Sequence, residues 1–211
     1  MINIGQQISS VERRMGSRVL EAGTARVQTI SRTYQASLDE LWDACTNPER
    51  LPRWFAPVSG DLTLHGRYQL EGNAGGVVQR CDPPKSFAAT WEFGGEVSWI
   101  EVRLTPQSDS ETRFELEHVA HIDDERWAQF GPGATGVGWD LALLGLDLHL
   151  SDPQTAMDPQ AAEEWSTSAE GREFITRSSE QWRQASIAEG TDPALASEAA
   201  ARTTAFYTGT A

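Results

Sequence analysis

Cysteine is nearly missing from this chain. Cys45 and Cys81 are the only two in 211 residues, far apart and without a second pair, which argues against a disulfide framework or a cysteine zinc site and leaves two structural thiols. Long apolar runs are missing too. The longest candidate, DLALLGLDLHL, is interrupted by acids and falls short of the roughly 18–20 residues that span a bilayer. The N-terminal stretch MINIGQQISSVERRMG has no basic region followed by an unbroken apolar segment, so no secretory signal is expected and a cytoplasmic location is. Basic residues are scarce: 17 Lys and Arg stand against 31 Asp and Glu, a net charge of −14. Acid exceeds base on both sides of residue 150, and no arginine cluster breaks the field. A phosphate backbone or an anionic membrane is repelled by such a surface, so neither nucleic-acid binding nor membrane insertion is expected. No phosphate loop or nucleophile elbow is present: GNAGG joins two extended runs, with no helix N-terminus after it.

What remains is 39% hydrophobic and 23% charged residues, ordinary for one globular domain with an appendage. After a polar N-terminal segment, SRVLEAGTARVQTISRTYQA reads as two extended runs around an Ala22-Gly23-Thr24 turn. SLDELWDACT opens with Ser37 three residues before Glu40, the spacing of a capping box, and sets Leu38, Leu41 and Trp42 on one helix face. Pro48 suits the first turn of a second short helix, which Pro52 cuts off or bends. From residue 59 to 122 six short runs, DLTL, RYQLE, VVQRC, SFAATWEF, SWIEVRL and TRFELEHVAHI, alternate with turn signals and leave no room for crossover helices. Ile100, Val102 and Leu104 share one strand face, and Phe114, Leu116 and His118 share one face of the next. DDERWAQFGPG reads as a helical turn stopped by Gly and Pro. GVGWDLALLGLDLHL then carries Trp139, Leu143, Leu146 and Leu150 at helical spacing, and a helix this apolar needs a large partner surface. SDPQTAMDPQ reads as a linker before two or three further helices.

Strand, paired short helices, antiparallel meander and long apolar helix form the order of a helix-grip fold, an α+β class. In order and spacing, ASLDELWDACTNPERLPRWFAP, GDLTLHGRYQLEG, VQRCDPPKSFAATWEF, TRFELEHVAH and GVGWDLAL resemble landmarks of the START-like SRPBCC superfamily. The closest resemblance is to its Aha-type branch, named for activators of the ATPase of the ninety-kilodalton heat-shock protein. The division expected is an N-terminal segment 1–15, a START-like domain 16–151 and a helical extension 152–211. The resemblance implies a pocket between the curved sheet and the long helix that takes a hydrophobic small molecule such as a lipid, polyketide or aromatic compound. It leaves two alternatives open, an enzyme of the polyketide cyclase or dehydratase kind and a chaperone-associated protein acting by its surface.

The candidate ligand-binding residues are Trp54, Phe55, Trp91, Phe114, His118 and Trp139. Trp54 and Phe55 end the short-helix wedge, where the same apolar packing serves as core and as pocket wall. His118, among apolar neighbours, needs a hydrogen-bond partner and offers either a structural contact or a polar handle for a ligand. Catalysis would require a second titratable partner that the sequence does not locate, so no catalytic residue is assigned. His121 falls on the opposite strand face from His118 and is expected in solvent, which prevents the two from chelating one ion; no metal or cofactor is expected. Trp165, Phe174, Trp182, Phe206 and Tyr207 are too sparse for an independent core in the extension. They should dock on the main domain or on a second copy, which would make a homodimer.

Overall fold

A computed structural model describes residues 2–122, 124–154 and 158–210. Among the described residues eight strands form one open, curved antiparallel sheet, accompanied by seven helices, the α+β helix-grip arrangement. The strands are β1 (Val11–Leu20), β2 (Gly23–Tyr34), β3 (Val58–Gly60), β4 (Arg67–Leu70), β5 (Gly75–Asp82), β6 (Ser86–Phe93), β7 (Glu96–Pro106) and β8 (Thr112–Ala120). Their order in the sheet is β1-β2-β8-β7-β6-β5-β4-β3, so the long connection from β2 to β3 at the far edge, which leaves β2 beside β8, is the one departure from a simple meander. The helices are α1 (Ile4–Ser9), α2 (Leu38–Thr46), α3 (Asp124–Phe130), α4 (Gly133–Ser151), α5 (Pro159–Thr167), α6 (Ala169–Ala188) and α7 (Pro193–Thr208), with a short 3₁₀ turn at Leu51–Arg53.

The chain packs as two compact units. One comprises Met1–Ile30, His121–Leu141 and Asp158–Ala211; the other comprises Ser31–Ala120 and Ala142–Met157. In the first, the N-terminal segment does more than its polar composition suggests. Ile4 and Ile8 lie four apart and bury one face of α1, whose first turn is capped by the Asn3 side chain, and β1 starts at Val11, well before Ser17. Helix α6 packs against α1, β1, α5 and α7, burying Phe174, Ile175 and Trp182. Phe174 and Trp182 of the C-terminal helices therefore share a core with the N-terminal residues, while Phe206 stays 65% exposed. Helix α4 begins at Gly133, a turn earlier than the apolar stripe suggests. Glycine is required at Gly136, because a Cβ there would lie 2.4 Å from the Trp182 ring.

In the second unit the strand pattern behaves as the alternation predicts. Ile100 faces His118, Val102 faces Leu116 and Leu104 faces Phe114 across β7 and β8, and all six are buried. The other sheet face is charged: Arg103 pairs with Glu101 and Glu115, and Arg80 pairs with Glu101. The Ser37 side chain accepts the Glu40 amide as a capping box requires, and α2 buries Leu41, Ala44 and Cys45. Trp42 stays half-buried and meets Phe87 edge-on at 6.2 Å. One expected strand fails. DLTL forms a turn, because Asp61 Oδ1 accepts both the Thr63 amide and the Thr63 hydroxyl and His65 takes a positive φ of 68°. Local side-chain bonding to the backbone outcompetes the ladder there, and β3 is Val58–Gly60 instead.

Candidate functional site

Five of the six candidate residues, Trp54, Phe55, Trp91, Phe114 and His118, fall in the unit that holds β3–β8. Trp139 belongs to the other unit, where it is 9% exposed. The Trp54-Phe55 pair follows the 3₁₀ turn; its rings stack at 5.4 Å with an interplanar angle of 29°. Trp54 is 7% exposed and donates its indole N–H to the Ala44 carbonyl at 3.0 Å, tying the turn to the end of α2. Its own carbonyl lies 2.4 Å from where a Cβ on Gly145 would stand, so the missing side chain of Gly145 is what lets the C-terminal half of α4 approach the turn. Phe55 is half-buried. Phe114 is buried and meets Tyr34 edge-on at 6.4 Å, and the Tyr34 hydroxyl donates to the Leu143 carbonyl at 3.0 Å. Strand β2 is thereby fastened to the middle of α4.

His118 is 5% exposed and lies 2.8 Å through Nε2 from the Ser98 hydroxyl. Ser98 sits on the neighbouring strand directly opposite Trp91, and its hydroxyl donates to the Trp91 carbonyl at 3.1 Å. A hydroxyl has one proton to give. With that proton on the Trp91 carbonyl, Nε2 of His118 is the donor to Ser98. The imidazole is held neutral, since burial lowers its pKa to about 4. The Trp91 ring lies 6.4 Å from the imidazole at 60° and is half-buried. The result is one fixed polar group set in an apolar sheet face beside a partly open indole. With Nε2 as donor, the imidazole is not placed to take a proton from Ser98.

His121 lies just past the end of β8 at Ala120, where strand alternation no longer governs direction. It is half-buried, with its Nε2 shielded from solvent, not solvated as alternation predicts. Among the described residues no three His, Cys, Asp or Glu side chains gather to hold a metal ion, and no helix is long and apolar enough to cross a membrane.

Two polar constellations escape sequence reasoning. Arg32, buried on β2, pairs with Asp147 of α4 at 2.6 Å and lies over the Tyr34 ring at 5.1 Å. The available signal was the two-residue step from Arg32 to Tyr34, which places both on one strand face. His149, also on α4, accepts through Nε2 from Arg50 at 3.2 Å, while Arg50 pairs with Glu40 and Asp43. Burial, then the neighbouring Arg50 and Arg53, lower the His149 pKa. His149 therefore fastens α4 to the turn after α2.

The two thiols differ sharply. Burial raises the Cys45 pKa to about 12, against a smaller opposing pull from Arg50, so almost no thiolate exists at neutral pH. Cys81 is half-exposed. A disulfide-exchange reagent is expected to titrate one thiol in the native protein and two after denaturation; two fast thiols in the native protein would contradict the burial of Cys45.

The profile described as "Activator of Hsp90 ATPase homolog 1-like protein" matches residues 35–151, more than half of the chain. The chain belongs to this family. The START-like, Aha-type resemblance of the sequence landmarks is thereby confirmed. Among solved structures, the crystal structure of CalU16 from Micromonospora echinospora is 32% identical, with a TM-score of 0.63 over 84% of this chain and 96% of that one. The CalU16 solution structure gives a TM-score of 0.66 over 90% and 96%. These shares exceed what residues 1–151 alone supply, so the likeness takes in part of the C-terminal helices. PFC0360w, an HSP90 activator from Plasmodium falciparum, is 19% identical with a TM-score of 0.53, over 59% of this chain and 96% of that one. DynU16, from the dynemicin biosynthetic locus, is 19% identical with a TM-score of 0.52, over 60% and 48%. At that identity both share the fold alone. No curated protein matches the chain.

Proposed function

We propose that this AHSA1-family protein binds a hydrophobic small molecule of the lipid, polyketide or aromatic class within the unit formed by the sheet and the C-terminal half of α4. One observation carries the reading: the buried, neutral His118–Ser98 pair set in an apolar sheet face beside the half-buried Trp91. Apolar walls supply affinity there and the imidazole supplies orientation. Trp54, Phe55 and Phe114 supply apolar surface in the same unit.

Native mass spectrometry of the purified chain tests the reading, with a co-purified apolar compound as the expected result. A protein that carries no such compound, binds no apolar probe and instead retains a ninety-kilodalton chaperone would replace it with the surface-acting alternative. His118→Phe should fold, because Ser98 keeps its bond to the Trp91 carbonyl. Affinity for a ligand with a polar handle should fall by about threefold to tenfold, the worth of one net hydrogen bond. A hundredfold fall in turnover with affinity intact would instead make His118 a general acid or base and the protein a cyclase- or dehydratase-like enzyme.

A further inference from the structure

The helical unit has an apolar recess of its own, about 120 Å³ in volume, where α3, the turn into α4, α6 and α7 converge. Trp127, Phe130, Pro132, Leu195, Ala196 and Ala199 supply its apolar wall. We propose that this recess is a second binding site, shaped for a single uncharged ring, aromatic or alicyclic, of a small molecule. A cavity of about 150 Å³ lined by Leu, Ile and Phe stays dry and binds benzene or xenon, so the volume here is of ring size.

The polar groups around the recess define the ligand by what they withhold. The last carbonyls of α3 are the obvious acceptors, yet Arg202 donates to those of Ala128 and Gln129, and the Thr203 hydroxyl donates to that of Phe130. The Pro132 carbonyl is taken by the Gln28 amide. Ser179 donates to the Ala200 carbonyl, Ser186 donates to the Thr191 hydroxyl, and the Arg183 guanidinium is held by Glu180. A ligand entering the recess thus finds its neighbouring polar groups already bonded, and a charged or strongly polar group would lose its hydration without recompense. Trp127 also has a cation over it: Arg26 lies 4.3 Å over its ring and makes an exposed ion pair with Asp124. Leu195 lines the recess yet is 57% exposed, an apolar residue left at its rim.

The test is a benzene titration of the isotopically labelled full chain by heteronuclear NMR, with xenon as a second probe and benzoate as a charged control. Saturable shifts of the Trp127 indole N–H and the Leu195 methyl groups are expected with benzene and xenon, and at least tenfold weaker ones with benzoate. Ala199→Leu, which fills the recess, should abolish them; if that variant does not fold, Ala196→Val adds less bulk at the same wall. Absence of shifts at these reporters up to the solubility limit of benzene would overturn the proposal. So would equal response to benzoate, or shifts that survive a filling substitution in a folded variant.

Discussion

Asp140→Ala is expected to be the most damaging single substitution in this protein, removing about 3–5 kcal/mol of stability by stranding a buried guanidinium. The Asp140 and Arg13 side chains are 1% and 3% exposed, and they meet in a two-point contact, Nη2 to Oδ1 at 2.7 Å and Nε to Oδ2 at 3.0 Å. Oδ2 also accepts the Ser178 hydroxyl at 2.6 Å and the Trp182 indole N–H at 2.9 Å. Alanine would leave four donor groups, on Arg13, Ser178 and Trp182, buried without their acceptor. Against a total stability of about 5–15 kcal/mol for a domain, that loss lowers the melting temperature severely or abolishes folding. Replacing both charges, Arg13→Met with Asp140→Leu, should recover the part of the loss that comes from the stranded guanidinium, while the Ser178 hydroxyl and Trp182 indole N–H still lack their acceptor. Thermal unfolding followed by circular dichroism checks both. A loss under about 1 kcal/mol for Asp140→Ala would mean that water reaches Arg13 and the network is not a closed one.

Acidification should begin to destabilise the protein near pH 6.5, before its carboxylates titrate. Burial lowers the folded pKa of His118 from 6.5 to about 4. Above pH 6.5 the imidazole is neutral in both states and its contribution is present in full. Between pH 6.5 and about 4 the unfolded chain takes up a proton that the folded one refuses, so stability falls as pH falls. Below about 4 both states are protonated and the loss is complete. The shift corresponds to about 3 kcal/mol across that window. His149, lowered in the same direction by burial and then by Arg50 and Arg53, adds to the slope. Denaturant unfolding at a series of pH values, compared between the parent and His118→Phe, isolates the His118 part. The variant should show a flatter dependence between pH 6.5 and 4, and an unchanged slope would remove the protonation cost from His118.

Local rules explain why so much of the architecture was readable. Ser37 and Glu40 are three residues apart, and their capping contact forms inside one helical turn. Ile100, Val102 and Leu104 declare a face because side chains on a strand alternate, whatever lies opposite. DLTL misleads for the same reason in reverse. Its apolar alternation suits a strand, but Asp61 satisfies its neighbour's backbone locally before any ladder can.

The sequence alone determined the α+β class, the meander, the long apolar helix and the family, because each is written in spacings of two to four residues or in an ordered run of landmarks. The partners of its buried polar groups were decided only by tertiary structure. Ser98 meets His118 twenty residues away because Ile100 and His118 face each other in the β7–β8 register. Asp140 meets Arg13 at a separation of 127 residues and Trp182 at 42. Arg50 meets His149 at 99. No periodicity encodes such distances. A buried charge or imidazole announces only that it must be satisfied, and which group satisfies it depends on how whole elements pack.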